Sequence, residues 1–291
     1  MTFAYYLSVS DISFCIRTSH PLQENEAFRP FLCEEQPSDV HVTFDEASAL
    51  SFPNTKHTVF KDKCYEICMD DEGGIFRLFY EMPHDPVCYA VAKYDYLNGK
   101  ICVKYLASYR RCVSELRNCF YHIGLESVLL EHNRICLHAS CVTTQLGGLL
   151  FSGVSGVGKS TQAKLWCEAG KGRQINGDRP ILSLELDSWR AWGSPYAGSS
   201  KCHVNENCEI TAILMLKQDE ECFLRRLSKP EAFRALWSGL TVHNWDKNFI
   251  EKASALTIDL IRSVPVYEFG CIPTYEAVEY LECALRKDLG L

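Results

Sequence analysis

The chain has 291 residues, of which 47% are hydrophobic and 12% aromatic, enough to build one large domain or two of ordinary size. Its formal net charge is -7 and its Lys and Arg residues are scattered, which argues against nucleic acid or an anionic membrane surface as a partner. No apolar run approaches the ~20 residues that span a bilayer. Met1 to Arg17 lacks the basic start and apolar core of a signal peptide, so none is expected.

The first part of the chain, residues 1–107, is predicted to be rich in β-strands and is a candidate for substrate recognition. Its short apolar stretches are broken by turns, and the Asn98-Gly99 pair is a hairpin signal because both residues tolerate positive φ. Apolar residues then recur at helical spacing, which predicts a connecting helix within residues 108–134. The clearest predicted strands lie at residues 40–44, 75–79 and 100–105.

From residue 135 to residue 291, apolar strands and helical stretches alternate, which indicates an α/β domain. Ile135 to Thr143 is predicted to be one strand, and Gly148 to Phe151 the next. Lys159 to Glu168 is predicted to be a helix. The capping box Ser228-Lys229-Pro230-Glu231 opens another helix. Further strands are predicted at residues 180–186, 210–216 and 264–269, with two more helices, one of them after Pro273.

The segment Gly-Val-Ser-Gly-Val-Gly-Lys-Ser, which begins at Gly153, matches G-x-x-x-x-G-K-[ST] at every fixed position. Its glycines let successive N–H groups point at phosphate oxygens, and the following helix directs its positive end at the same anion. In this motif Lys159 reaches the β- and γ-phosphates, and Ser160 ligates Mg²⁺. We therefore predict a nucleoside triphosphate site. The predicted nucleotide-binding residues are Gly153, Val154, Ser155, Gly156, Val157, Gly158, Lys159, Ser160 and Thr161.

Two further residues are candidates for the same site. A P-loop site needs a second metal anchor, usually an Asp at the end of a neighbouring strand, and Asp178 follows Ser160 after a gap that fits one helix and a short return. An Asp beside Gly is otherwise a common turn residue. His138 lies in the predicted strand before the P-loop strand. If those strands are neighbours, its imidazole approaches the γ-phosphate; otherwise it is a hydrogen-bonded core histidine.

Three elements together resemble a known family: His138-Ala139-Ser140, the P-loop from Phe151 to Thr161, and Gly177-Asp178-Arg179. They are similar to the C-terminal domain of HPr serine kinase/phosphorylase. They are also similar to the nucleotide core of ATP-dependent phosphoenolpyruvate carboxykinase. The similarity is closest over residues 135–187 and looser through the rest of the chain.

The resemblance implies an α/β fold in which a phosphoenolpyruvate carboxykinase-like P-loop domain spans residues 135–291, after a smaller β-rich region. It implies ATP and Mg²⁺ as cofactors. It also implies that Asp178 is the metal-binding aspartate, and that His138 lies in the active site near the metal or beside the catalytic acid.

One departure from the family concerns the proton acceptor. The family usually has two consecutive aspartates, whereas here Gly177 takes one of those places and Arg179 follows. A hydroxyl acceptor needs a positioned base. Either Asp178 is that base while Ser160 and water hold the metal, or His138 supplies the base. Weakened catalysis is the third alternative.

The favoured hypothesis is an ATP- and Mg²⁺-dependent kinase whose acceptor is a hydroxyl, first of all a serine in a peptide or small protein. His138, Asp178 and Lys159 are its predicted catalytic residues, and Ser160 and Asp178 its predicted metal ligands. A small-molecule kinase and a catalytically weak ATP-binding regulatory module are the alternatives. A carboxykinase acting on oxaloacetate is disfavoured, because the chain is short and the substrate-binding positions upstream of His138 are not recognisable.

The remaining candidates carry weaker signals. Arg225 and Arg226 could supply transition-state charge, although the favoured interpretation is a strand with one Arg exposed and the other in a surface ion pair. The loop from Trp192 to Gly198 could shape the acceptor site. Sixteen cysteines without a Cys-x-x-Cys pair indicate reduced, mostly buried thiols and a cytoplasmic protein. No feature of the sequence indicates an oligomeric state.

Overall fold

The chain folds around two mixed β-sheets, each in its own unit, so the fold is mixed α/β. The structure, a computed structural model, describes residues 2–52, 57–81 and 86–290. The two units are Met1–His132 and Asn133–Leu291. Within the described residues, each unit contains one sheet of nine strands.

The sheet of the first unit has two parallel pairs and is otherwise antiparallel. Its strands are β1 (Phe3–Val9), β2 (Ile12–Thr18), β3 (Leu32–Cys33), β4 (Val40–Ala47), β5 (His57–Lys61), β6 (Tyr65–Met69), β7 (Ile75–Glu81), β8 (Val87–Asp95) and β9 (Lys100–Leu106). Their order is β3-β1-β2-β4-β9-β8-β7-β6-β5, with β4 parallel to both β2 and β9. The strands predicted at 40–44, 75–79 and 100–105 are confirmed. The Asn98-Gly99 hairpin joins β8 to β9, with Gly99 at φ +61°.

The helical region after β9 is not one helix. It consists of a 3-10 helix (Ala107–Val113), α1 (Leu116–Ile123) and α2 (Leu125–Glu131). Gly124 separates α1 from α2 because its φ of +67° is left-handed, a conformation that ends an α-helix. The predicted apolar stripe is nevertheless buried: the ring of Phe120 lies 5.3 Å from that of Phe14 and 4.9 Å from that of Phe28. A shorter 3-10 helix, Arg29–Phe31, precedes β3.

The second unit has helices packed on a second mixed sheet. Its elements are β10 (Arg134–Cys136), β11 (Ala139–Thr144), β12 (Gly147–Ser152), α3 (Lys159–Glu168), β13 (Gly172–Asn176), β14 (Ile181–Glu185), β15 (Ser188–Trp192), β16 (Asn207–Gln218), β17 (Phe223–Arg226), α4 (Lys229–Trp237), α5 (Lys247–Ser263), β18 (Val266–Cys271) and α6 (Tyr275–Leu289). The main order is β10-β14-β15-β16-β12-β11-β13, with β18 beside β16 and β17 beside β18. β16 runs parallel to β12 and to β18.

The strand predicted from Ile135 to Thr143 is broken in its middle, which is a correction to the sequence prediction. β10 ends at Cys136, and β11 begins at Ala139. Between them the Leu137 N–H donates to Pro180 O (3.2 Å) and the His138 N–H donates to Gly239 O (2.8 Å). His138 therefore lies outside the ladder, where its side chain is free to face the loops at the end of the sheet.

A hydrophobic core holds α3 and α6 against β12, β16 and β18. Phe151 of β12 is fully buried, and its ring lies 6.5 Å from that of Trp166 on α3. The buried side chains of α6 follow helical spacing, so one stripe of the helix covers the sheet. They are Ala277, Val278, Leu281 and Leu285.

None of the sixteen cysteines forms a disulfide, but the expectation that most are buried is wrong. Cys33, Cys64, Cys102 and Cys283 are exposed, and several others are half-buried. The buried ones are Cys15, Cys68, Cys119, Cys141, Cys208 and Cys271. Among the described residues, no helix combines the length and apolarity needed to cross a membrane.

Replacing Leu281 with Ala tests the contribution of α6. Leu281 is fully buried, so the substitution removes core contacts and leaves a cavity, which should lower the free energy of unfolding by about 2–5 kcal/mol. Tyr280→Ala is the matched control, because Tyr280 precedes Leu281 in α6 and is 40% exposed. Tryptophan fluorescence during urea denaturation reports on this unit alone, since all five Trp residues follow residue 132. Equal losses in both variants would contradict the packing of α6.

Candidate functional site

Strand register brings three loops to one edge of the second sheet. The P-loop follows Ser152, the last residue of β12, and Ser152 pairs with Ala139, the first residue of β11. β11 also pairs antiparallel with β13, so Asn176 at the end of β13 lies opposite Cys141. The P-loop, His138 before β11 and Asp178 after β13 therefore lie at the same edge. The condition set for His138, that its strand neighbours the P-loop strand, is met by β11, although His138 itself precedes that strand. β13 pairs with the other side of β11.

The glycines of the P-loop segment have positive φ and leave open space before α3. Gly153, Gly156 and Gly158 have φ of +139°, +80° and +114°, conformations that favour glycine. A Cβ on Gly156 or Gly158 would meet nothing within 4 Å, so the space beside these residues is open. The α3 ladder begins with the Gln162 N–H bonded to Gly158 O (2.9 Å). The N–H groups of residues 158–161 therefore have no partner within the helix, and such groups can bind an anion.

Lys159 lies folded over this loop. Its Nζ donates to Gly153 O (3.0 Å) and to Val154 O (3.1 Å), and the residue is only 8% exposed. Burial lowers the pKa of Lys159, and the nearby Asp178 carboxylate opposes that shift. The ammonium group of Lys159 therefore lies within the P-loop segment.

A cavity of about 310 Å³ joins the three loops. Three predicted nucleotide-binding residues do not line it: Gly153 and Val154 offer their carbonyls to Lys159, and Val157 packs against the core. The sequence analysis missed Ser199, whereas Gly198 ends the loop that it proposed for the acceptor site. The lining residues are His138, Ser155, Gly156, Gly158, Lys159, Ser160, Thr161, Gly177, Asp178, Gly198 and Ser199.

His138 and Asp178 are directly paired in this cavity. His138 Nε2 lies 3.1 Å from Asp178 Oδ1, and about a third of each side chain is exposed. Burial lowers the pKa of His138, the charges of Lys159 and Arg179 lower it further, and Asp178 opposes them. Together these effects favour the neutral imidazole over the imidazolium.

Asn176 positions Asp178. It is fully buried, and its Oδ1 accepts from the N–H groups of Asp178 (2.9 Å) and Arg179 (2.7 Å). Its Nδ2 donates to Ser194, whose hydroxyl in turn donates to Arg179 O. An Asn that bonds the backbone two residues on is an Asx turn, and this local signal was present in the sequence although Asn176 was not predicted.

The surroundings of Gly177 leave no room for a side chain. A Cβ on Gly177 would overlap Ser200 Oγ and lie 2.8 Å from Ala197 O. The Ala197–Ser200 turn lies against Gly177, so a carboxylate side chain at this position would have no room. The far end of the predicted Trp192–Gly198 loop thus reaches the cavity, where Gly198 lies against Asp178.

The arginine beside the site is Arg179. Its Nη1 donates to Thr241 Oγ1 (2.8 Å), and its Nε lies 3.9 Å from Asp178 Oδ2. By contrast, Arg225 pairs with Glu231 and Glu268, and Arg226 pairs with Asp288 and lies over the Tyr267 ring. Neither Arg225 nor Arg226 lines the cavity. Their geometry agrees with surface ion pairs and not with an arginine finger.

The residues present fit a triphosphate and Mg²⁺. The open glycine backbone and Lys159 suit phosphate oxygens, and Ser160 and Asp178 place a hydroxyl and a carboxylate in one cavity, the oxygen ligands that Mg²⁺ prefers. In the described part of the chain, no cluster of three or more His, Cys, Asp or Glu side chains could hold a metal by itself. Phosphate and water would have to complete the shell, as is usual for Mg²⁺.

Comparisons with known proteins add little to this geometry. No family model matches the chain, and no curated protein matches it. Among solved structures, the Hpr(Ser) kinase/phosphatase from Coxiella burnetii aligns at 14% identity and a TM-score of 0.33. The alignment covers 53% of this chain and 95% of that one. The functional assignment therefore depends on the site itself.

Titration of His138 tests the electrostatics of the pair. Arg179→Gln removes a like charge and should raise the pKa of His138 toward its ordinary value of 6.5. Asp178→Asn removes the charge that favours the imidazolium and should lower the pKa further. NMR of the imidazole protons, assigned by their loss in His138→Gln, measures both. Arg225→Gln is the control. Shifts of the same sign in the two variants would contradict the geometry.

Proposed function

We propose that this chain is an ATP- and Mg²⁺-dependent kinase that transfers the γ-phosphoryl group to a hydroxyl. A serine in a peptide or small protein is the favoured acceptor, with a small-molecule hydroxyl as the alternative. The proposal includes action in a reducing cytoplasm, where free thiols persist. It treats the β-rich first unit as the candidate for substrate recognition.

One observation carries the proposal. The His138–Asp178 pair, with Nε2 3.1 Å from Oδ1, lines the same cavity as Lys159 and Ser160 of the P-loop. A phosphate cradle alone would indicate nucleotide binding. A carboxylate paired with a neutral imidazole beside that cradle adds a proton acceptor, which a hydroxyl nucleophile requires.

The side chains divide the work between binding and proton transfer. The amides before Gln162 and the Lys159 ammonium hold the phosphates, and Lys159 neutralises charge that develops on them. Ser160 and the Asp178 carboxylate would hold Mg²⁺, which draws charge from the phosphate oxygens when bound. The cavity wall keeps the acceptor hydroxyl beside Asp178, and the proton of that hydroxyl passes to the His138–Asp178 pair.

In this proposal Asp178 is the first proton acceptor. His138 Nε2 lies 3.1 Å from Asp178 Oδ1, so that nitrogen is turned toward the carboxylate. The carboxylate retains lone pairs on both oxygens. His138 then orients the carboxylate and stabilises the pair after the proton arrives.

A second function is an ATP-binding regulatory module with little turnover. The observation in its favour is the closed turn against Gly177, which excludes the second carboxylate that the resemblance leads one to expect. Tight Mg·ATP binding without transfer to any acceptor would establish this module instead of a kinase.

Lys159→Ala tests the nucleotide site. Losing a charged hydrogen-bond donor should cost about 1.5–3 kcal/mol of binding, a rise in the ATP Kd of about 10- to 150-fold. Isothermal titration with Mg·ATP measures it. Lys164→Ala is the matched control, because this lysine of the same helix is exposed and pairs with Glu168 (3.5 Å) outside the cavity. An unchanged Kd in Lys159→Ala would exclude the P-loop as the nucleotide site.

Asp178→Asn tests the catalytic pair with γ-labelled ATP, serine peptides and small hydroxyl compounds as acceptors. Without the base, transfer should fall about 100- to 10,000-fold. His138→Ala should reduce transfer by less, because it removes only the orienting group. ATP affinity measured in parallel separates the roles of Asp178: a weaker Mg²⁺-dependent affinity reports metal binding, and lost transfer at unchanged affinity reports proton transfer. Full transfer in Asp178→Asn would overturn the assignment.

A further inference from the structure

We infer that Ser199 is an intramolecular phosphoryl acceptor, so that the protein phosphorylates its own cavity wall when it holds Mg·ATP. The inference rests on the proposed kinase function. It adds a modification site and a chemical class of acceptor, a serine hydroxyl carried on an exposed turn.

The Ala197–Ser200 turn holds Ser199 between two anchored neighbours. On one side, Gly198 has φ +56° and lies against Asp178, so that a Cβ there would be 3.5 Å from Asp178 Oδ2. On the other side, the Ser200 hydroxyl donates to Ala197 O (2.7 Å) and covers Gly177. Because both neighbours are fixed against the Gly177-Asp178 segment, Ser199 is held on the wall of the cavity that contains the proposed base.

The hydroxyl of Ser199 is chemically available. Ser199 is exposed and lines the cavity with Lys159 and Ser160. Within the described residues, its hydroxyl has no hydrogen-bond partner, whereas the hydroxyl of Ser200 is bonded. Of the other hydroxyls that line the cavity, Ser155, Ser160 and Thr161 belong to the phosphate-binding segment itself. Ser199 is therefore the lining hydroxyl that lies outside the P-loop, on the wall beside Asp178.

The transfer balances without any further reactant. Ser199 Oγ forms a bond to the γ-phosphorus of ATP while the bond from that phosphorus to the β–γ bridging oxygen breaks. The bridging oxygen leaves with ADP, and the hydroxyl proton passes to the Asp178–His138 pair. The product carries a phosphoserine, with roughly -1.5 to -2 charge at pH 7, at the cavity wall.

The test is intact mass analysis and peptide mapping of the full chain after incubation with Mg·ATP and no added acceptor. We expect a gain of one phosphoryl group, located at Ser199. Ser199→Ala and Asp178→Asn should abolish it, Ser199→Thr should restore labelling through its own hydroxyl, and Ser263→Ala, an exposed serine outside this cavity, should not affect it. A rate constant independent of protein concentration identifies transfer within one molecule.

Failure of this inference is distinguishable from failure of the kinase assignment. Label on an added acceptor, with Ser199 unmodified, overturns the inference and leaves the kinase intact. Label on Ser155 or Thr161 also overturns it. If Ser199→Ala instead weakens Mg·ATP binding and no phosphoserine forms, the hydroxyl belongs to nucleotide binding and the inference is wrong. Absence of both binding and transfer overturns the two proposals together.

Discussion

The antiparallel pairing of β11 with both β12 and β13 is the constraint on which the site depends. Ser152, the last residue of β12, pairs with Ala139, the first residue of β11. Because this register is fixed, the chain that enters β11 lies beside the chain that leaves β12. The β11–β13 pairing then places the residues after Asn176 at the same edge. A phosphate loop, an imidazole and a carboxylate from distant parts of the sequence converge because one central strand pairs on both sides.

Electrostatics then determine what this convergence can do. Lys159, Arg179 and the half-buried His138 lie around a single carboxylate, Asp178. Burial and the two cations lower the pKa of His138, which favours its neutral form beside Asp178. The net charge of the chain is -7, so the positive charge of Lys159 and Arg179 at this cavity is a local feature.

The P-loop and α3 could be predicted from the sequence, whereas the way in which the three loops join to form the cavity wall could not. The P-loop and α3 follow from glycine spacing and helix propensity, which act over a few residues. The break at His138 follows from backbone bonds to Pro180 and Gly239, and no local pattern reports such partners. Likewise Ser199 joins the cavity only because its turn closes on Gly177, and β13 was missed because Gly172–Asn176 is short and partly polar.

The most direct test of the central claim is to follow backbone amide chemical shifts by NMR while Mg·ATP is added to the full chain. If the three loops form one site, the amides of residues 153–161, 177–178 and 198–199 should shift together and saturate with a single Kd. Shifts confined to the P-loop would contradict the account, because the His138–Asp178 pair would then lie outside the nucleotide site.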